Sequence, residues 1–258
     1  MTTMQFYKFD GAGNDFVVID NRDGQYNLTQ SEINLLCHRR FGVGADGLMT
    51  LDAGCAGYDF VMHYYNSDGK LGSMCGNGGR CIAAFAHMLG MDKELTFKAF
   101  DGPHHALVER WDGNKGWVKL GMTDVKEIKQ VEGGWLLDTG SPHFVLPVSD
   151  LEHYDVVGEG RRWRWRKDLF PEGVNVDFVE MEGDRLKIRT FERGVEDETW
   201  ACGTGVTASA LVCDCHRLSA CGGNFEVEYD HTDGHFSNIR LCGPVSLNFT
   251  GQWTFSQA

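Results

Sequence analysis

The sequence predicts an α+β protein built from two topologically similar halves. Three observations carry that prediction: short β-rich segments recur along all 258 residues, helical patterns are few, and the chain matches itself at an offset of about half its length. The composition is 42% hydrophobic and 24% charged, with 33 glycines and 5 prolines, which is ordinary globular material. That is enough chain for one large domain or two of roughly 100–150 residues, each with its own core.

Strands are expected at residues 16–19, 58–65, 95–97, 117–120, 144–146, 176–179 and 186–191, which are rich in Val, Ile, Phe and Tyr and bounded by Gly and Asp turns. The first helix is expected over 29–39, because Thr29 with Glu32 three residues later forms a capping box. Two further helices follow from the Ala-rich apolar runs after Cys75 and Cys202. Many strands with few helices exclude a doubly wound α/β sheet.

The internal match is most distinct at 73–89 and 200–212, where Cys75-Gly-Asn-Gly and Cys202-Gly-Thr-Gly each precede an apolar run of helical length. The two cysteines are 127 residues apart. Phe16 of Gly13-Asn-Asp-Phe16 falls on Phe144 of Ser141-Pro-His-Phe144, an offset of 128. Asn66 and Arg193 each stand nine residues before their cysteine. The halves are drawn at 1–120, completed by a terminal strand 248–258, and at 121–247.

Lys and Arg number 24 against 37 Asp and Glu, a net charge of −13, which argues against nucleic acid or an anionic membrane as partner. Lys8 and Asp10 stand where a signal peptide needs an apolar stretch, and no apolar run of roughly 18 residues occurs. A soluble, cytoplasmic protein is expected. Nine cysteines are an odd count in a chain long enough to fold without staples, so reduced thiols are the better reading.

The paired Cys-Gly motifs carry the chemistry. Glycines at a helix entry let backbone N–H groups point at an anion, and the helix dipole adds positive potential, so such an end can hold a carboxylate. The same field favours thiolate over thiol. Two thiols flanking one bound carboxylate suit removal of a proton from one face of a carbon and redelivery to the other, which inverts a stereocentre. A buried structural cysteine beside a tight turn is the alternative for either motif alone; duplication weighs against it. Asn14, Asn66, Asn175 and Glu192-Arg193 are each ordinary turn or strand-end residues, placed by their glycine neighbours in loops, yet together they offer acceptors for ammonium and donors for carboxylate.

Three other motifs are set aside. Gly42-Val-Gly44-Ala-Asp-Gly47 spells a dinucleotide fingerprint but follows a helical pattern instead of a strand, so a turn is expected. Cys213-Asp-Cys215-His216 has metal-ligand residue types, but it is expected along the helix after Cys202 with 213 and 215 facing different ways, so no metal site is assigned. Residues 161–167 alternate Arg and Trp and are read as a strand with Trp163 and Trp165 packed and the arginines solvated.

Read together, Gly11-Ala-Gly-Asn-Asp-Phe16, Arg40-Phe-Gly-Val-Gly-Ala-Asp46, Tyr65-Asn-Ser-Asp-Gly69, Cys75-Gly-Asn-Gly-Gly-Arg-Cys81, Ser141-Pro-His143, Gly173-Val-Asn-Val176, Glu192-Arg-Gly194 and Ala201-Cys-Gly-Thr-Gly205 make the chain resemble the diaminopimelate epimerases nearly end to end. These are pyridoxal-independent enzymes that interconvert LL- and meso-diaminopimelate for lysine and peptidoglycan synthesis. The resemblance implies two mixed halves, each a mostly antiparallel sheet rolled around a central helix, with the active site in the cleft between them and no cofactor. It implies Cys75 and Cys202 as the acid/base pair, with His143 and Glu192 assisting the two thiols. Gly76-Asn77 and Gly203-Thr204 would hold the reacting carboxylate through backbone N–H groups, and Asn14, Asn66, Asn175, Glu192 and Arg193 would bind the amino and carboxyl groups. The expected partner is this small amino-acid substrate, and a homodimer is left open.

Two positions depart from the family pattern: Gly47, where Gln is frequent, and Ser141, where Asn is frequent. The alternatives carried are a two-thiol racemase of proline or hydroxyproline, and a catalytically silent binding member of the fold. Two charged substrate ends argue against the first, and retention of both thiols against the second.

Overall fold

The computed structural model describes residues 3–72 and 74–255. Ser73, at the head of the first Cys-Gly segment, and residues 256–258 of the expected terminal strand lie outside the described residues, as do Met1 and Thr2. The chain divides into two compact units, Met1–Leu120 with Pro244–Ala258, and Gly121–Gly243.

In the first unit the elements are β1 (Thr3–Gly11), β2 (Asn14–Asn21), α1 (Gln30–Cys37), β3 (Gly47–Ala53), β4 (Phe60–Asn66), β5 (Leu71–Gly72), α2 (Gly76–Met88), β6 (Glu94–Ala99), β7 (Gly102–Trp111) and β8 (Lys115–Gly121). Strands pair in the order β1, β2, β3, β4, β6, β7, β8. Of these pairings, β2 with β3 and β4 with β6 run parallel. The end of the long last strand β17 (His235–Thr254) pairs with both β8 and β1 and closes the ring at eight strands.

Strand alternation then sends side chains to two helices on opposite faces. Met4 and Phe6 of β1 pack with Ile33, Leu36 and Cys37 of α1. Tyr7 and Phe9 of the same strand meet Phe85 of α2. Every residue of α2 from Gly76 to Ala86 is buried, as a helix with strands around it must be.

The second unit repeats this plan. Its elements are β9 (Lys129–Val131), β10 (Gly134–Asp138), β11 (Pro142–Pro147), α3 (Val156–Arg164), β12 (Asn175–Glu182), β13 (Arg185–Glu192), β14 (Asp197–Thr199), α4 (Gly203–Cys213), β15 (Arg217–Ala220), β16 (Gly223–Thr232) and the start of β17. Parallel pairing recurs at β11 with β12, Phe144 opposite Val176, just as Phe16 stands opposite Gly47 in the first unit. It recurs again at β13 with β15. Residues 122–131 bridge the gap between β17 and β10 through Met122 N–H to Ile239 O, Val125 opposite Phe236, and β9 beside β10. Phe144, Val176, Phe178 and Phe191 face α3. Their alternates His143, Asn175, Asp177 and Thr190 therefore face α4.

Six of the seven expected strands lie within observed ones, and the seventh, 58–65, begins two residues ahead of β4. The helix expected over 29–39 is α1, with both capping-box bonds formed, and it ends at Cys37 with His38 as its C-cap. Residues 42–46 are an irregular turn leading into β3, with Gly44 at φ +80, where a side chain would be strained.

Two local expectations are corrected. Residues 161–164 are helical, not a strand: Asp155 caps α3 by accepting the Gly158 N–H, and Val156, Gly160 and Trp163 form one buried stripe at helical spacing. Trp163 is 8% exposed and Trp165 54%, so the two rings do not share a packed face. Helix α4 ends at Cys213 because Asp214 takes the left-handed conformation, which leaves Cys215 and His216 in the turn to β15. Among the described residues no helix is long and apolar enough to cross a membrane.

Candidate active site

In the first unit the site grows from the start of α2. Cys75 is its N-cap, and Sγ accepts the Gly78 N–H at 3.3 Å. A Cβ at position 78 would stand 3.3 Å from Cys75 Sγ and 3.2 Å from Met49 Sδ, so glycine leaves the thiol room beside the helix. The first N–H groups of a helix lack intrahelical acceptors, which gives Gly76 and Asn77 the backbone expected of an anion-holding end. The Asn77 side chain has another task, because its Oδ1 accepts a 2.9 Å bond from the buried Arg80 guanidinium.

Asn14 and Asn66 sit at strand ends, not in free loops: Asn14 opens β2 and Asn66 closes β4. Asn14 Oδ1 lies 3.9 Å from Cys75 Sγ, and its Nδ2 donates to Asp46 Oδ2 at 2.8 Å. Behind it stands a charged chain that sequence reasoning missed. Arg39 bridges Asp46 and Asp15, both at 2.7 Å, and Asp15 pairs at 2.6 Å with the buried Lys8. Burial alone would raise the Asp15 carboxyl, but hydrogen bonds and charge from Arg39 and Lys8 hold it well below the usual carboxylate range. The exposed Asn66 closes the turn to β5, with its N–H on Lys70 O and its carbonyl accepting Gly69 N–H.

In the second unit Cys202 is the buried N-cap of α4. Its Sγ is 3.4 Å from Thr204 Oγ1, which lies 2.8 Å from His143 Nε2. His143 Nδ1 lies 2.7 Å from Asp177 Oδ2, and the other Asp177 oxygen accepts the Thr190 hydroxyl at 2.7 Å. Ser141 Oγ is 3.1 Å from Nε2 and 3.2 Å from Thr204 Oγ1.

Asn175 opens β12, again a strand end instead of a loop, and its amide braces the site: Nδ2 donates to Ser141 Oγ and Pro142 O, and Oδ1 accepts the Arg193 N–H at 2.8 Å. The Arg193 guanidinium reaches the Glu172 carbonyl at 3.4 Å. Glu192 ends β13.

The expected lowering of the thiol is not what surrounds Cys202. Burial pushes this thiol well above its ordinary range, and the Glu192 and Asp177 charges push it further. The Thr204 hydroxyl and the Gly205 N–H pull the other way without prevailing. His143 and Glu192, expected to assist the two thiols, both belong to the second unit and both bear on Cys202, the first through Thr204 and the second by charge.

Asp177 and Thr190 also escaped sequence reasoning. A readable signal existed: Asp177 interrupts an apolar strand pattern, two residues from Asn175 on the same face. Of the two departures, Gly47 has a steric cause, since a Cβ there would fall 2.5 Å from Tyr64 Cε2 and 2.6 Å from the Tyr65 carbonyl. Ser141 places a hydroxyl among His143, Thr204 and Asn175. Among the described residues no three His, Cys, Asp or Glu side chains converge as metal ligands would.

The family model described as diaminopimelate epimerase matches residues 6–127 and 135–234. The diaminopimelate epimerase of Flavobacterium psychrophilum is 42% identical over 258 aligned residues, covering 95% of this chain and 98% of that protein. That of Chlorobaculum tepidum is 47% identical, covering 78% and 80%. Among solved structures, a PhzF-family phenazine biosynthesis protein of Bacillus anthracis superposes with a TM-score of 0.73 at 14% identity, covering 99% of this chain and 100% of that one. A probable proline racemase from Agrobacterium radiobacter superposes at 0.69 and 14%, covering 98% and 93%, so both share the fold. Through the family match and these relatives, the chain belongs to the diaminopimelate epimerase family.

Proposed function

We propose that this protein is an isomerase that interconverts LL- and meso-diaminopimelate without a cofactor, using Cys75 and Cys202 as its two acid/base groups, in the supply of lysine and peptidoglycan precursors. The observation that carries the reading is the repeat itself: each unit sets a cysteine at the N-cap of a buried helix whose next two residues offer backbone N–H groups. A thiolate removes the α-proton and a thiol returns one to the opposite face, so the mechanism requires one sulfur on each side of the carbon. The negative charge that forms on the substrate carboxylate as the proton leaves is stabilised by helix N-termini, through Gly76-Asn77 and Gly203-Thr204.

Burial and the Glu192 and Asp177 charges favour the thiol form of Cys202, the form that donates a proton. Asn14, Asn66 and the Glu192-Arg193 pair bind the charged groups of the diamino acid. Asn175 shapes that surface by tying Pro142 to Arg193.

Incubation with LL-diaminopimelate in D₂O, with no cofactor added, tests the reading. Deuterium should enter one α-position as meso product accumulates. Absence of both refutes the epimerase, and undiminished uptake in both Cys75→Ala and Cys202→Ala refutes the two-thiol mechanism.

A further inference from the structure

A thiol held protonated by its surroundings must still give up its proton to act as base in the reverse direction. In this protein the groups around Cys202 form an unbroken line for that proton. Cys202 Sγ, Thr204 Oγ1, His143 Nε2, His143 Nδ1 and Asp177 Oδ2 follow one another at 3.4 Å, 2.8 Å, then across the ring, and 2.7 Å. The His143 and Asp177 side chains are both fully buried. The carboxylate is turned by the Thr190 hydroxyl on its other oxygen, so one oxygen is left for the imidazole. A Cβ on Gly205 would fall 2.3 Å from Asp177 Oδ1 and 3.2 Å from His143 Cε1, so the first turn of α4 lies directly on this pair.

We propose that Asp177 is a positioning residue that holds His143 as its Nδ1–H tautomer, and that the Thr204 hydroxyl passes the Cys202 proton to His143 Nε2. The step balances within the protein. The Cys202 S–H bond breaks as its proton joins Thr204 Oγ1, while the Thr204 hydroxyl proton moves to His143 Nε2. One thiolate and one imidazolium paired with the Asp177 carboxylate result, and no electrons change hands. Return of the proton along the same line restores the thiol. Glu192 and Asp177 act on Cys202 by charge, whereas His143 places a ring nitrogen within hydrogen-bonding distance of Thr204 Oγ1 and so can accept the proton through it. An Asp fixing a His tautomer for a nucleophile or base is a known arrangement in hydrolases; here its output is a thiol at a helix end.

This inference rests on the epimerase reading for its kinetics but not for its geometry, and the experiment keeps the two apart. In ¹⁵N-histidine-labelled protein, with the His143 signals assigned by their loss in His143→Asn, wild type should show the Nδ1–H tautomer and Asp177→Asn should not. In epimerase assays Asp177→Asn should lower kcat about 10²-fold with KM within about threefold of wild type. Thr204→Val should lower kcat about tenfold, and Thr204→Ser, which keeps the hydroxyl, should recover most of that loss. A proton on Nε2 in the wild type, or a tautomer unmoved in Asp177→Asn, overturns the proposal. So does a kcat within twofold of wild type in both Asp177→Asn and Thr204→Val. If the wild type exchanges no deuterium into diaminopimelate, the epimerase reading fails while the tautomer measurement still decides the relay.

Discussion

Asn14 Nδ2 donates to Asp46 Oδ2 at 2.8 Å, and this bond turns the amide oxygen of Asn14 toward Cys75 Sγ, 3.9 Å away. A primary amide can present either end to a neighbour, so the carboxylate behind it decides that the sulfur meets an acceptor. Asp46→Ala should therefore lower kcat/KM about tenfold, the worth of one charge-assisted hydrogen bond of roughly 1.4 kcal/mol. Asn14→Ala should lower it at least as much. Steady-state kinetics with both variants check this, and equal activity in Asp46→Ala and wild type would contradict it.

The Lys8–Asp15–Arg39 group makes stability depend on pH. Asp15 is 18% exposed and its folded carboxyl lies well below the unfolded value of about 3.9. A depressed carboxyl contributes stability that is complete above the unfolded value and is lost as pH falls below about 4 toward the folded one. Urea unfolding should give a free energy that is level with respect to Asp15 from pH 7 to 5 and declines below 4. Asp15→Asn should flatten that decline and, by leaving the buried Lys8 charge unpaired, cost about 3 kcal/mol at pH 7.

Helix α3 makes opposite predictions for two neighbouring tryptophans. Trp163 packs on Phe144 with ring centroids 4.9 Å apart, while Trp165 is half exposed with Arg164 over its ring. Trp163→Ala should cost about 3–5 kcal/mol and Trp165→Ala less than about 1 kcal/mol. Equal losses in thermal or urea unfolding would favour the strand that the Arg-Trp alternation suggests.

Gly47 should tolerate no side chain while Tyr64 stands over it. Gly47→Ala is expected to cost about 1–3 kcal/mol by overpacking. Adding Tyr64→Ala should recover part of that loss, with the remainder due to the Tyr65 carbonyl at 2.6 Å. Urea midpoints of the single and double variants measure the coupling directly.

Much of the molecule was legible because local and global signals coincide in it. Thr29 and Glu32 announce α1, the paired Cys-Gly runs announce α2 and α4, and the repeat announces two units of one plan. The same repeat held an unread signal, since α1 has its counterpart in α3, where the arginines hid an amphipathic stripe that begins at Val156. Strands such as β7 (GPHHALVERW) and β16 (GNFEVEYDHT) are too polar on one face to read as strands alone, and they form because neighbours on both sides satisfy their backbones.

By itself the sequence determined the family, the two-unit plan and the pair of thiols at helix entries, because glycine spacing, caps and apolar periodicity act over a few residues. Only the tertiary structure decided what surrounds each thiol. Asp177 reaches His143 across 34 residues of chain, Asp46 reaches Asn14 across 32, and His143 reaches Cys202 through Thr204, 61 residues on. Those partners are chosen by parallel strand pairing, which places one oxygen within hydrogen-bonding distance, and for Asp177 and His143 also by burial, which excludes water; neither is written in the spacing of any single segment.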